Sequence, residues 1–121
     1  DAGFVPVFCA ITHDGAGTLL NCNADTIASS VAIGASRIAP TDLIYCFEQP
    51  GVMEDIERPD SLIPLITPDT YIKLRDRGVV NKGMIPKLDN SFRAINAGVS
   101  SVIIKHAANI TNDTGTVLKN D

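Results

Sequence analysis

Tryptophan is absent from the 121 residues, and aromatic side chains make up only 5% of them. A core must therefore be built from Ile, Val, Leu and Ala, and hydrophobic residues supply 45% of the chain. Such small and β-branched side chains suit a sheet covered by helices. Excess positive charge is also missing. The formal net charge is −4, and no basic stripe interleaved with aromatics runs along the chain, so no nucleic-acid partner is expected. No apolar run approaches the roughly 18 residues of a membrane span, so no membrane segment is expected. The chain does not open on a charged segment followed by an apolar one, so no secretory leader is expected. The length implies one domain with one core.

Several chemical signatures are lacking as well. The three cysteines, Cys9, Cys22 and Cys46, are odd in number and show no C-x-x-C spacing. Each lies among apolar residues, which predicts buried free thiols in a reducing, cytoplasmic protein. His13 and His106 share no zinc spacing with a cysteine, so no metal site is expected. There is no G-x-x-x-x-G-K-[ST] loop, no G-x-G-x-x-G and no G-x-S-x-G. Asn109-Ile-Thr and Asn112-Asp-Thr match the glycosylation triplet, a match without meaning in the cytoplasm.

The pattern that is present alternates strand and helix. Phe4–Ile11 (FVPVFCAI) is a nearly continuous apolar run and predicts a buried strand. His13–Gly17 is turn chemistry, and Thr18–Asn21 would return as a hairpin arm. Ala24, Ile27, Ala28 and Val31 recur at helical spacing after the caps Asn21 and Asn23, with Gly34 as a stop. Asp42–Phe47 (DLIYCF) predicts a strand, 48–58 a loop and Ser61–Ile66 a short edge strand. Thr67-Pro68-Asp69 announces a helix that Gly78 ends. After a connector at 79–83, Ile85, Leu88, Phe92 and Ile95 define an amphipathic helix closed by Gly98. Ser101–Lys105 and Gly115–Leu118 predict further strands. The implied fold class is α/β, a mainly parallel sheet with helices on both faces. A buried strand so near the start leaves one face uncovered, which suggests a sequence continuing upstream.

Phosphate in such a sheet binds at helix N-termini beyond the strand ends. Asn21-Cys-Asn-Ala-Asp25 opens one helix. Capping alone explains it; the alternative is a site offering two amides and a carboxylate. Gly83-Met-Ile-Pro-Lys87 opens another. A lysine in a first turn opposes the helix dipole by roughly 0.3–1 kcal/mol, a cost offset if an anion joins it. Gly83 would let a backbone amide approach that anion closely. A solvated lysine on an exposed face is the competing explanation.

These segments also resemble a known family. LLNCNADTIASSVAIGA is similar to the L-x-N-x-N-A-D-x-x-A segment of N-acetylglutamate kinases. RGVVNKGMIPKLDNSFRAINAGVSSVII resembles their G-x-x-x-x-G-M-x-x-K segment with its helix and strand, and LTPDTYIKL and GTVL share the family's look. The resemblance covers nearly the whole chain in the right order. It implies the C-terminal part of an amino-acid-kinase fold, an α/β/α sandwich, with residues 1–121 as a single ATP-binding domain and the N-terminal substrate-binding half absent. It implies phosphorylation of the γ-carboxylate of N-acetyl-L-glutamate by ATP with Mg²⁺, a step of arginine biosynthesis, in a cytoplasmic homo-oligomer. By resemblance, Lys87 would stabilise the transferring phosphoryl group and Asp25 would orient it. Asn21 and Asn23 would reach the acyl-amino acid, and Phe47, Glu48, Gly51, Gly83 and Met84 would contact the nucleotide. Phe47-Glu48 departs from the family's small hydroxyl residue and Asp. The family's glycine-rich loop with a second lysine has no match here, so this chain is not expected to catalyse alone. A kinase for N-succinylglutamate or another acylated amino acid, and a non-catalytic nucleotide-binding module, remain open.

Overall fold

A computed structural model describes residues 2–80 and 82–121. A hairpin comes first, β1 (Ile11–His13) and β2 (Leu19–Asn21), antiparallel with Ile11 opposite Asn21. Helix α1 (Ala24–Ser36) follows. Asn23 caps it from an extended backbone, its side chain accepting from the amides of Asp25 and Thr26. The four-stranded sheet consists of β3 (Asp42–Phe47), β4 (Leu65–Ile66), β5 (Ser101–His106) and β6 (Thr116–Leu118), in the order β3-β5-β6-β4. Between β4 and β5 run α2 (Pro68–Asp76) and α3 (Ile85–Asn96). The connector expected at 79–83 includes Asn81, which lies outside the described residues.

The caps and stops of α2 and α3 follow from their sequences. Thr67 accepts from the Thr70 amide and Pro68 occupies the first turn of α2, where its missing N–H costs nothing. Gly78 (φ +67°) and Gly98 (φ +117°) then turn the chain left-handed. The next amides reach back into the helices, Val79 to Leu74 O and Val99 to Ala94 O. Gly34 does not stop α1. It lies inside the helix, which runs on to Ser36, because nothing in the chain path requires a left-handed residue there.

The sheet is mixed. β3 and β5 pair in parallel from Asp42↔Ser101 to Phe47↔His106, and β4 and β6 pair in parallel, whereas β5 and β6 run antiparallel. The parallel crossover between β3 and β5 carries α2 and α3. Only a short loop separates β5 from β6, so β6 returns antiparallel.

Register divides the sheet into two unlike faces. Leu43, Val102, Leu118 and Ile66 form one cross-strand row and are at most 8% exposed. Tyr45, Ile104 and Thr116 form the next row of that face, all buried. Ala32 of α1, Tyr71 and Leu74 of α2, and Leu88, Phe92, Ala94 and Ile95 of α3 close the core over it. Complete burial of a side chain such as Leu88 contributes about 1.5–3 kcal/mol. On the opposite face Ile44, Ile103, Val117 and Leu65 align in a row whose ends, Ile44 and Leu65, are 41% and 43% exposed.

The N-terminal expectation is corrected. Residues 4–9 form no strand, and Phe4, Val5 and Val7 are 86–92% exposed. A strand needs a partner for its backbone, and of this run only Ile11, the first residue of β1, is paired in a strand. The cysteines are free, but Cys9 and Cys46 are exposed and Cys22 is half-buried. Cys46 faces outward because the strand alternation that buries Tyr45 turns it to the open face.

Candidate functional site

The N-termini of α1 and α3 meet. Asp25 lies in the first turn of α1 and Lys87 in the first turn of α3, and Lys87 Nζ donates to Asp25 Oδ2 at 2.7 Å. Both side chains are partly withdrawn from water, Lys87 at 16% and Asp25 at 34% exposure. The carboxylate is favoured at a helix N-terminus and the ammonium is not. Asp25 therefore compensates, in part, for a lysine placed against the dipole of its own helix. No side chain of the N-cap residue Met84 caps α3, whereas α1 and α2 are capped by Asn23 and Thr67.

Tyr45 of β3 joins this pair. Its hydroxyl donates to the Asp25 carbonyl at 2.9 Å, and Lys87 Nζ lies 4.5 Å from the centre of its ring. Burial, reinforced by the neighbouring Asp25 charge, pushes the phenol up to about 12. It thus remains a donor at any physiological pH.

One helical turn before Lys87, Met84 lines a cavity of about 450 Å³ with Phe47, Gly51, Val52, Met53, Val79 and Val80. Its apolar wall suits a flat aromatic group, while Gln49, Glu54, Asp55 and Glu57 add polar groups to the lining. The walls are held by one hydroxyl. Thr116 Oγ1 accepts from the Val52 amide at 2.8 Å and donates to Ile63 O at 2.7 Å, while Ile63 N donates to Val52 O at 2.9 Å. Gly51 is packed against the same hydroxyl. A Cβ there would lie 2.6 Å from Thr116 Oγ1, so no side chain fits without displacement.

The expected site residues thus divide into groups. Lys87 and Asp25 touch, and Phe47, Gly51 and Met84 share the cavity. Gly83 is exposed in the turn before α3, and Glu48 is exposed; neither lines the cavity. Asn23 spends its side-chain oxygen on the α1 cap, and Asn21 ends β2 with an exposed side chain. Sequence reasoning missed Tyr45, Val52, Met53, Val79 and Val80. The signal for Tyr45 was a hydroxyl-bearing aromatic at an inward position of a largely apolar strand; the others carried none.

Residues 1–106 match the amino acid kinase family. The chain belongs to that family. This amino acid kinase chain is 57% identical over 108 residues to the acetylglutamate kinase of Cytophaga hutchinsonii, covering 89% of this chain and 41% of that protein. It is 49% identical over 117 residues to the acetylglutamate kinase of Phocaeicola vulgatus, covering 97% of this chain and 46% of that one. The chain therefore spans less than half the length of these curated relatives. Among solved structures, smu.665 from Streptococcus mutans shares 28% identity at a TM-score of 0.73, over 93% of this chain and 41% of that one. N-acetylglutamate synthase from Neisseria gonorrhoeae, complexed with coenzyme A and N-acetyl-glutamate, superposes at a TM-score of 0.74 over 93% of this chain and 27% of that one. At 19% identity that likeness supports the fold alone, a mixed sheet with helices.

Proposed function

We propose that this chain is the nucleotide-binding, C-terminal part of an acetylglutamate kinase, which transfers the γ-phosphoryl group of Mg-ATP to the γ-carboxylate of N-acetyl-L-glutamate. The observation that carries the reading is the Lys87–Asp25 pair at converging helix N-termini, one helical turn from a cavity with an apolar wall. Phosphoryl transfer asks a protein for position and for neutralisation of spreading negative charge. Lys87 supplies the charge. Asp25 holds Lys87 at rest and leaves its other N–H groups for phosphoryl oxygens. The cavity behind Met84 takes the base, with Phe47 offering it a flat apolar wall. Glu48, exposed at the end of β3, is assigned to the ribose, Gly83 to the phosphates, and Asn21 with the free amide of Asn23 to the acyl-amino acid. Magnesium is assigned to the nucleotide as its counterion rather than to a set of protein ligands.

The relatives' additional length fits this assignment. The remaining part would cover the open sheet face at Ile44 and Leu65, complete an α/β/α sandwich, and supply the other wall of the active site. The test is Lys87→Ala in the full-length protein. We expect kcat to fall about 10²–10³-fold with a smaller change in KM for ATP. An effect confined to KM would remove the transition-state role.

A further inference from the structure

A lysine that must neutralise a moving phosphoryl group has to be held without being neutralised. Asp25 alone does this poorly, since a carboxylate within hydrogen-bond distance competes with the phosphate for the same charge. The structure offers a second holder. We propose that Tyr45 is a positioning residue for phosphoryl transfer, cradling the Lys87 ammonium on its ring while its hydroxyl fixes the first turn of α1, and with it Asp25. This rests on the kinase reading above.

Three observations carry it. The ring centre is 4.5 Å from Lys87 Nζ, inside the range of cation–π attraction. The Lys87 side chain is 16% exposed, and partial desolvation strengthens that attraction. The phenol bonds the main chain of Asp25 at 2.9 Å rather than its carboxylate, leaving the carboxylate to Lys87. Packing needs none of this. Tyr45 sits in a row with Ile104 and Thr116, on a strand whose next inward residue is Leu43. Leucine would satisfy the core there but offer neither a π face nor a donor. The ring attracts the cation through its quadrupole and adds no negative charge. As Asp25 yields to the incoming phosphate, the ammonium stays in place. An ammonium has three N–H groups. One serves Asp25, and those not over the ring remain for the substrate.

The experiment compares full-length wild type, Tyr45→Phe and Tyr45→Leu, with ATP and N-acetyl-L-glutamate as substrates and ¹³C-labelled lysine as a probe. Tyr45→Phe keeps the ring, and its kcat should fall about fivefold for the lost hydrogen bond. Tyr45→Leu should lose about 30-fold in kcat, with both KM values changing far less. The ring current displaces the Lys87 ε-methylene resonance upfield, assigned by its disappearance in Lys87→Arg. That displacement should persist in Tyr45→Phe and vanish in Tyr45→Leu. An unchanged kcat in Tyr45→Leu, or a Lys87 resonance indifferent to it, overturns the proposal. Should Tyr45→Leu fail to fold, the other two proteins decide: an undisplaced resonance in wild type overturns the proposal, and displacement in both upholds it. Absence of turnover by wild type sinks the kinase reading, while a displaced resonance in that protein still places Lys87 on the ring.

Discussion

Replacing Asp25 with Asn and Lys87 with Met, singly and together, measures how strongly the two helix starts are tied. At a 2.7 Å separation and 16% and 34% exposure, the pair lies between two regimes. Exposed pairs couple by about 0.2–1 kcal/mol, and breaking a fully buried one costs about 3–5 kcal/mol. We expect a coupling of about 2 kcal/mol. The single variants should differ. Asp25→Asn leaves a half-buried ammonium against the positive end of α3, a loss of about 2–3 kcal/mol. Lys87→Met leaves a carboxylate that the start of α1 stabilises, so its loss should be nearer 1 kcal/mol. Methionine also keeps the aliphatic stem packed. Urea denaturation followed by far-ultraviolet circular dichroism gives the four stabilities, and a 2 kcal/mol change should move the midpoint by about 1 M. Coupling below about 0.5 kcal/mol would show that water screens the pair like an ordinary surface one. A costlier Lys87→Met than Asp25→Asn would refute the helix-terminus argument.

Other outcomes follow from single contacts. Thr116→Val strands the Val52 amide and the Ile63 carbonyl, so it should cost about 2–5 kcal/mol and weaken nucleotide binding; Thr116→Ser, which keeps the hydroxyl, should retain most of both in the same melts. Both tyrosines of the chain have phenols raised from 10.0 to about 12. Their burial stabilises the fold below pH 10, and this contribution is lost as pH rises through about 12. Ultraviolet titration of the folded chain should show no phenolate step near pH 10; a half-ionised tyrosine there would contradict the burial. Lys105 is 4% exposed and donates to Asn109 O at 3.1 Å and Asn112 O at 2.5 Å. Lys105→Met should free the loop between β5 and β6, seen as faster hydrogen exchange at 107–115, and unchanged protection would remove this role.

The legible parts of the sequence were those where local chemistry decides. Asn23, Thr67-Pro68, Gly78 and Gly98 act within a few residues of themselves; the first two start the helices they were expected to start, and the glycines end theirs. Lys87 was legible as an anomaly, because its conflict with the dipole is local. What failed depended on partners distant in sequence. Phe4–Ile11 has the composition of a buried strand, but composition does not provide an edge to pair with. Tyr45 gained its place from two residues, Asp25 and Lys87, on separate helices. The cavity's aliphatic residues became recognisable only once residues of the loop after β3 were seen to share it with Val79, Val80 and Met84.

The Thr116 clamp has a further consequence for how this protein can vary. It fixes the loop at Val52 and Ile63, two points set by the sheet rather than by the residues between them. The tip around Asp55–Glu57 is exposed, and lengthening a loop whose ends are already held costs little, about 0.6 kcal/mol per doubling. Insertions at that tip can therefore accumulate while Gly51, Val52 and Met53 keep their places, and because Asp55, Ile56 and Glu57 also line the cavity, such changes would vary its polar side rather than its apolar one.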